Sequence, residues 1–427
     1  MAAGKLEHPN PGWNMLLFWR FSGPLDRGAL LSGLDTVVAR HEVLRTTHAR
    51  HGLQVVHPAA PLDLPTADLR GLSTGDRAAE LDRLARVQHG LAPDHARGPL
   101  LTGTLVRAAD DDAYLLLTVD HSVCDGWGVG VLRSELTAAY AGTVSGRGVR
   151  LWELPMHYRD FAAGQRAAAA AGDFDAQLDW WADRLDDGAL GLTAAPPEVG
   201  GFRSAQHRMV LPAAVVDRLR RLPGTLYMTL MAGLTGALAR RTATGDVAVA
   251  SLVAGRGRPD RQRLVGMFAN PVVVRTAVPD GGSYGQLLDR VRAGVTAAGA
   301  RQDAPWPLVA RRTGLGAAAI WLNVAPPASP ARFRGLTVDT DALPHDYPID
   351  VPQPAWHGEA LIANFVDTGP GTDVVGLLDH NARQLSPATV AELAGDLLDL
   401  LTAAAADPGV GLPPFGSRPP LPLTAPL

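Results

Sequence analysis

Two rhythms of apolar positions alternate along the chain. In GALLSGLDTVVARHEVLRT, after Pro24-Leu-Asp-Arg, the residues Leu30, Leu31, Leu34, Val37 and Val38 recur at helical spacing and predict a helix with one buried face. Asp26 stands where an N-cap is expected, its short carboxylate within reach of a free N–H of the first turn. The stretch YLLLTVDHS (114–122) departs from that rhythm, being a continuous apolar run with β-branched members that stops at polar residues. Such a run predicts a strand covered on both faces, delivering Asp120 and His121 at its end. After Gly126, WGVGVLRSELTAAYAG returns to helical spacing and is expected to stop at Gly142.

The second half repeats the mixture. FDAQLDWWADRLDD, AAVVDRLRRL, YMTLMAGLTGALARRTATG and SYGQLLDRVRAGVTAAGA predict helices, the third ended by Gly245. DVAVASLVAG (246–255) and FANPVVVRTAV (268–278) predict strands. The last helix, SPATVAELAGDLLDLLTAAAADPG, has Ser386 as its cap and Pro387 at its first position. GLPPFGSRPPLPLTAPL follows as a Pro-rich extended strap or disordered tail. Two comparable halves joined within the Ala-rich region 141–200 predict an α/β protein of two lobes with a cleft between them. The boundary is drawn at 170/171: 1–170 as an N-terminal lobe carrying DHSVCDG, and 171–427 as a C-terminal lobe.

Composition narrows the function classes. Of 427 residues, 46% are hydrophobic and 19% charged, as in a well-buried globular protein, and the net charge of −4 favours neither nucleic acid nor an anionic membrane as partner. With Cys124 alone, the chain holds no disulfide framework and no cysteine-based zinc site. The first residues lack the pattern of a secretory signal and no uncharged run of membrane-spanning length occurs, so a reducing, cytoplasmic setting is expected.

His121 carries the chemistry. An imidazole with an ordinary pKa of about 6.5 can take a proton at neutral pH and return it. At a strand end beside an Asp-Gly turn it would be held rigidly at the mouth of a cleft, with Asp125 orienting a neighbour and Gly126 allowing a turn where a Cβ would clash. Taken alone, a histidine at a strand end is more often a satisfied structural residue.

VDHSVCDGWGVGVL resembles the HHxxxDG core of nonribosomal peptide synthetase condensation domains and their chloramphenicol-acetyltransferase-like relatives. His121 matches the second histidine, Asp125 the aspartate and Gly126 the glycine. RHEVLRT (40–46), YRDFAAGQR (158–166), LDWWADRL, VAGRGRPDRQRLVGMFANPVVVRT (253–276) and QDAPWPLV (302–309) are similar to further family segments, in the family's order. The resemblance implies two chloramphenicol-acetyltransferase-like lobes in a V, with a tunnel at their interface and a loop of the C-terminal lobe crossing between them. It implies no cofactor bound by the chain itself. A carrier protein would deliver an acyl or peptidyl thioester on a phosphopantetheine arm, and a small-molecule or carrier-bound amine or hydroxyl would attack it. His121 would position that nucleophile or take its proton. Asp125 would be architectural, paired with Arg45 or Arg256. Asn270, in the loop that crosses between the lobes, and Trp181, in a helix of the second lobe, would serve packing before substrate. Trp127 would line the tunnel or sit in the core, and Cys124 would point inward, where a thiol is inert.

One position departs from the pattern: Asp120 replaces the first histidine. Beside His121 its carboxylate would favour the imidazolium, or it could pair with an amine substrate. Asp120 and Asp125 also have the DxxxxD spacing of heterocyclization domains, although Gly128 stands where that motif, DxxxxDxxS, has serine. A non-catalytic relative that recruits a partner is the third reading, against which the presence of His121 speaks. The family's opening motif is missing ahead of GWNMLLFWRF, and neither a carrier attachment site nor an adenylation motif occurs, as expected of a stand-alone enzyme or an excised domain. His41, His48 and His51 cluster without metal-site spacing, so no metal is expected. GRGRPDR lacks the lysine of a phosphate-binding loop and reads as a solvated loop.

Overall fold

The run that predicts a strand buried on both faces forms one, Asp112–Asp120. Its side chains alternate between two cores. Leu115, Leu117 and Val119 join Leu30, Leu34, Val37, Leu132 and Leu136 on one side, and Leu116 joins Phe18, Ala85 and Val106 on the other. The structure, a computed structural model, describes residues 14–49, 53–91, 93–185, 192–193, 202–315, 317–325, 331–340, 350–351 and 360–423.

Among these residues the strand lies at the centre of a five-stranded sheet. The order is Thr337–Asp339, Asn14–Ser22, Asp112–Asp120, Leu101–Arg107 and Thr66–Asp68. Both immediate neighbours of Asp112–Asp120 run antiparallel to it. The helices Arg27–Arg40 and Gly126–Val144 supply the core on one face and Thr74–His89 on the other. Asp26 caps the first of these, its carboxylate accepting from the N–H of Ala29 at 2.9 Å. The helix Gly126–Val144 runs through Gly142 rather than stopping there; its closing turn hydrogen-bonds onward through Ser145 and Gly146.

The second unit is built on a seven-stranded sheet among the described residues, ordered Asn270–Ala277, Asp246–Val253, Ile320–Ala325, Leu361–Val366, Val374–Asn381, Phe202–Leu211 and Asp350–Val351. The helix Leu226–Ala239 is sealed into its core, packed by Tyr284–Gly299 and Pro387–Ala406. It ends at Ala239, before Gly245. Gly245 instead has φ +68° and leads into Asp246–Val253, the ring of Phe415 lying where a Cβ would project. Ser283 and Gln286 form a reciprocal capping box, and Ser386 caps Pro387–Ala406 with Pro387 in its first turn. The Pro-rich end is an ordered strap as far as residue 423. The N–H of Arg418 donates to Arg240 at 2.9 Å, and Leu421 and Leu423 are buried in the unit's core. No described helix is long and apolar enough to cross a membrane.

The two units are not contiguous halves. Residues up to Ala171 are joined by Arg256–Ala269 and 331–340, and the second unit takes the described residues of Gly172–Gly255, Asn270–Pro327 and Pro348–Leu427. A single boundary at 170/171 does not capture this, because burial decides membership. Val265 and Phe333 complete the first unit's core, Phe333 packing its ring on Phe21 and Tyr140 at 5.1 and 5.2 Å.

Candidate functional site

Strand, turn and helix present the DHSVCDG segment in three steps. Asp120 closes the strand, 121–123 form the turn, and Asp125 caps the helix. Asp120, Val123, Cys124 and Asp125 are buried, whereas His121 is partly exposed.

Asp125 is buried, and of its two candidate partners the one it meets is Arg256. One carboxylate oxygen accepts from the N–H of Gly128 at 2.7 Å and from Arg256 at 2.8 Å; the other accepts from the N–H groups of Phe268 and Ala269 at 2.9 and 3.2 Å. The guanidinium also donates to the carbonyls of Arg261 and Leu264 at 2.7 Å and of Gly266 at 3.2 Å, and stacks 4.3 Å from the Phe268 ring. Burial pulls the Arg256 guanidinium below its ordinary pKa, and the Asp125 charge opposes that pull. Within GRGRPDR, Arg256 is a buried cation, which the solvated-loop reading did not anticipate, while Gly257, Arg258 and Pro259 are exposed as that reading expects. Tyr158 adds a further tie, its hydroxyl donating to the carbonyl of Met267 at 2.8 Å. Arg45, the other candidate partner, is corrected: it donates to the carbonyls of His57 and Ala39 and lies 3.8 Å from Glu42.

The steric need expected at Gly126 falls on Gly128. Gly126 is exposed with open space where a Cβ would be, but a Cβ on Gly128 would lie 2.9 Å from Cys124 Sγ and 3.3 Å from Asp125. The serine of the heterocyclization pattern has no room there. Cys124 points into the core, where burial pushes its thiol far above the ordinary pKa.

Asp120 does not face solvent. It is 1% exposed; one oxygen meets His95 Nε2 at 3.1 Å and the other accepts from the N–H of Ser122 at 2.8 Å. Burial opposes its charge, yet the hydrogen bonds from His95 and Ser122 prevail and hold the carboxyl below its ordinary pKa. Of the two alternatives for Asp120, pairing with a substrate amine gives way to an internal pairing. Trp127 is 49% exposed and donates to the carbonyl of Gln262 at 2.8 Å, so it is not a core residue. Asn270 is fully engaged within its own unit: its amide donates to the carbonyls of Gln302 and Ala304 at 2.9 and 2.8 Å and its oxygen accepts from the N–H of Trp306 at 3.0 Å. Trp181 is buried and donates to the carbonyl of Arg301 at 3.2 Å. His41 is held by Glu135 at 2.8 Å and by the N–H of Val265 at 3.4 Å, while His51 lies outside the described residues. Nothing in the sequence singles out His95 or Glu135, whose partners lie 25 and 94 residues away.

Fold and motif together are those of chloramphenicol-acetyltransferase-like proteins. The structure is similar to the X-domain from teicoplanin biosynthesis, with a TM-score of 0.80 at 22% identity, covering 94% of this chain and 92% of that one. It is also similar to the first condensation domain of the calcium-dependent antibiotic synthetase, with a TM-score of 0.75 at 22% identity, covering 95% and 93%. The chain belongs to the condensation domain family, whose profile matches residues 2–318. Among curated relatives, the chondramide synthase cmdD of Chondromyces crocatus is 31% identical over 95% of this chain and 10% of its own length. Phosphinothricin tripeptide synthetase PhsC of Streptomyces viridochromogenes is 35% identical over 71% of this chain and 29% of its own length. The chain thus spans a minor part of the relatives it matches.

Proposed function

We propose that this chain catalyses acyl transfer from a carrier-protein thioester to an amine or hydroxyl acceptor in nonribosomal peptide or related natural-product assembly. The acceptor nitrogen attacks the thioester carbonyl, the C–N bond forms and the C–S bond breaks. The nitrogen's proton passes to the His121 ring and then to the departing phosphopantetheine thiolate, leaving an amide and a free thiol. General-base help of this kind contributes about 10²–10⁴-fold, so holding the two reactants in register must supply much of the remainder. The carrying observation is the contrast within the motif: its two carboxylates are buried and internally paired, whereas His121, which matches the family's second histidine, is a partly exposed residue.

The same contrast disfavours heterocyclization, because Asp120 and Asp125 are committed to His95 and Arg256 and Gly128 has no room for a side chain. A partner-recruiting role is the second reading, favoured by the likeness to the teicoplanin X-domain, a domain also solved in complex with OxyB. Intact-mass analysis of an acylated carrier protein incubated with this chain and a panel of amines and alcohols tests both. Acyl transfer lost in His121→Ala supports the transferase. A wild-type chain that binds the loaded carrier without ever discharging it supports recruitment.

A further inference from the structure

His95 belongs to none of the short motifs through which the sequence resembles the family, yet it closes a chain of contacts leading to His121. We propose that His95 is a positioning residue for the acyl-transfer step, acting through Asp120 on the turn that carries His121. This inference rests on the transferase reading of that histidine.

The geometry runs outward from a fixed base. Asp94 pins the tight turn that bears His95, its carboxylate accepting from the N–H groups of Ala96 and Arg97 at 2.9 and 3.1 Å, while its carbonyl accepts from the N–H of Gly98 at 2.6 Å. The His95 carbonyl accepts from the N–H of His48 at 2.6 Å, tying it to the strand Thr46–Ala49, and the two imidazole rings meet edge-on at 6.3 Å. His95 is 8% exposed, and its Nε2 faces the Asp120 carboxylate at 3.1 Å. A nitrogen facing a carboxylate carries the proton, so Nε2–H donates and the tautomer is set. The second Asp120 oxygen then accepts from Ser122, the residue directly after His121, at 2.8 Å. The Asp120 carbonyl also accepts from the N–H of Val123 at 3.1 Å, and the Asp120 N–H donates to Leu100 at 2.9 Å. His121 is therefore held between a residue bound by His95 and a residue bound by that residue's carboxylate.

Charge makes the link matter. A carboxylate with 1% exposure is stable as an anion only while its hydrogen bonds persist, and the N–H of Ser122 is held most firmly by a charged acceptor. Losing His95 leaves Asp120 to take up a proton or turn toward solvent, and either change frees the turn. The substitution at the motif's first position is thus matched by an imidazole supplied from elsewhere in the chain.

The test uses the full chain with an acylated carrier protein and an accepted amine. His95→Ala is expected to lower kcat by about ten- to a hundredfold, the scale of a small misplacement of a reacting group, with KM for the loaded carrier unchanged. His95→Gln, which retains an N–H donor, should restore most of the rate. The double variant His95→Ala/Asp120→Asn should be no slower than His95→Ala, since it leaves no buried anion. An unchanged kcat in His95→Ala, or losses that multiply in the double variant, would overturn the proposal. A readout independent of turnover is the amide resonance of Ser122 and the ring resonances of His121 in labelled protein, compared between wild type and His95→Gln and His95→Ala. Both sets should move in His95→Ala and return toward wild type in His95→Gln. If they stay fixed, the positioning claim fails even where turnover changes. If His121→Ala retains full activity while those resonances respond, the transferase role of His121 fails and the contact chain stands.

Discussion

Asp125 and Arg256 are 131 residues apart in the chain, and their carboxylate and guanidinium meet at 2.8 Å with side chains 3% and 1% exposed. That pair is one of the ties that hold the segment Arg256–Ala269 onto the unit carrying the DHSVCDG turn, beside those of Tyr158 to Met267 and Trp127 to Gln262. Each partner satisfies several other groups, so removing either strands the rest. Asp125→Ala and Arg256→Ala are each expected to cost about 3–5 kcal/mol of unfolding free energy. The double variant should cost little more than one of them, because the uncompensated buried charge is then gone. Urea denaturation of the three variants checks this; fully additive losses would refute it.

The two glycines at the start of the helix Gly126–Val144 should respond in opposite directions. Gly128→Ser places a Cβ 2.9 Å from Cys124 Sγ and is expected to destabilise by about 1–3 kcal/mol. Gly126→Ala meets open space, and should be neutral or stabilise by up to about 1 kcal/mol through the unfolded chain. Thermal melts of both variants decide it.

Stability should fall as the medium is acidified below about pH 6.5. Burial pulls His48, His89 and His380 below the ordinary histidine value, so around pH 6 the unfolded chain binds more protons than the folded one. Under that condition stability rises with pH. The urea midpoint at pH 5 should accordingly lie below that at pH 7.5, and His48→Gln should narrow the gap.

Asp120 acts in a lower window. Its folded-state pKa lies below the ordinary carboxyl value, so its contribution is present above about pH 4 and is lost as pH falls through the folded value. Asp120→Asn should flatten the acid limb of the stability curve below pH 4 while leaving the limb between pH 5 and 7.5 in place. Denaturation midpoints taken from pH 2.5 upward measure both limbs.

The C-terminal strap should carry stability out of proportion to its composition. Leu423 is 2% exposed in the second unit's core, and Leu423→Ala is expected to cost about 2–5 kcal/mol. Calorimetric melting should show a lowered transition; an unchanged one would mean that the strap is not part of the cooperative unit.

Local chemistry made the elements legible. Asp26, Ser283 with Gln286, and Ser386 with Pro387 mark helix starts because a cap needs only residues within one turn of each other. The run through Asp112–Asp120 announced a central strand because both of its faces had to be apolar. His121 and Asp125 were legible through an ordered set of family segments, although residue type alone did not separate a catalytic histidine from a structural one.

By itself, then, the sequence determined the central strand of the first sheet, two strands of the second, the helices with clear apolar spacing, the family to which they add up, and the turn that presents His121; it did not mark Thr74–His89 or strands such as Leu101–Arg107 and Val374–Asn381. The tertiary structure decided who partners whom: Arg256 rather than Arg45 on Asp125, His95 on Asp120, Gly128 rather than Gly126 at the crowded position, and 331–340 in the first unit's core. The two ion pairs alone join residues 25 and 131 positions apart. Desolvation of a whole core selects them, and no periodicity in a window of neighbouring residues records that selection.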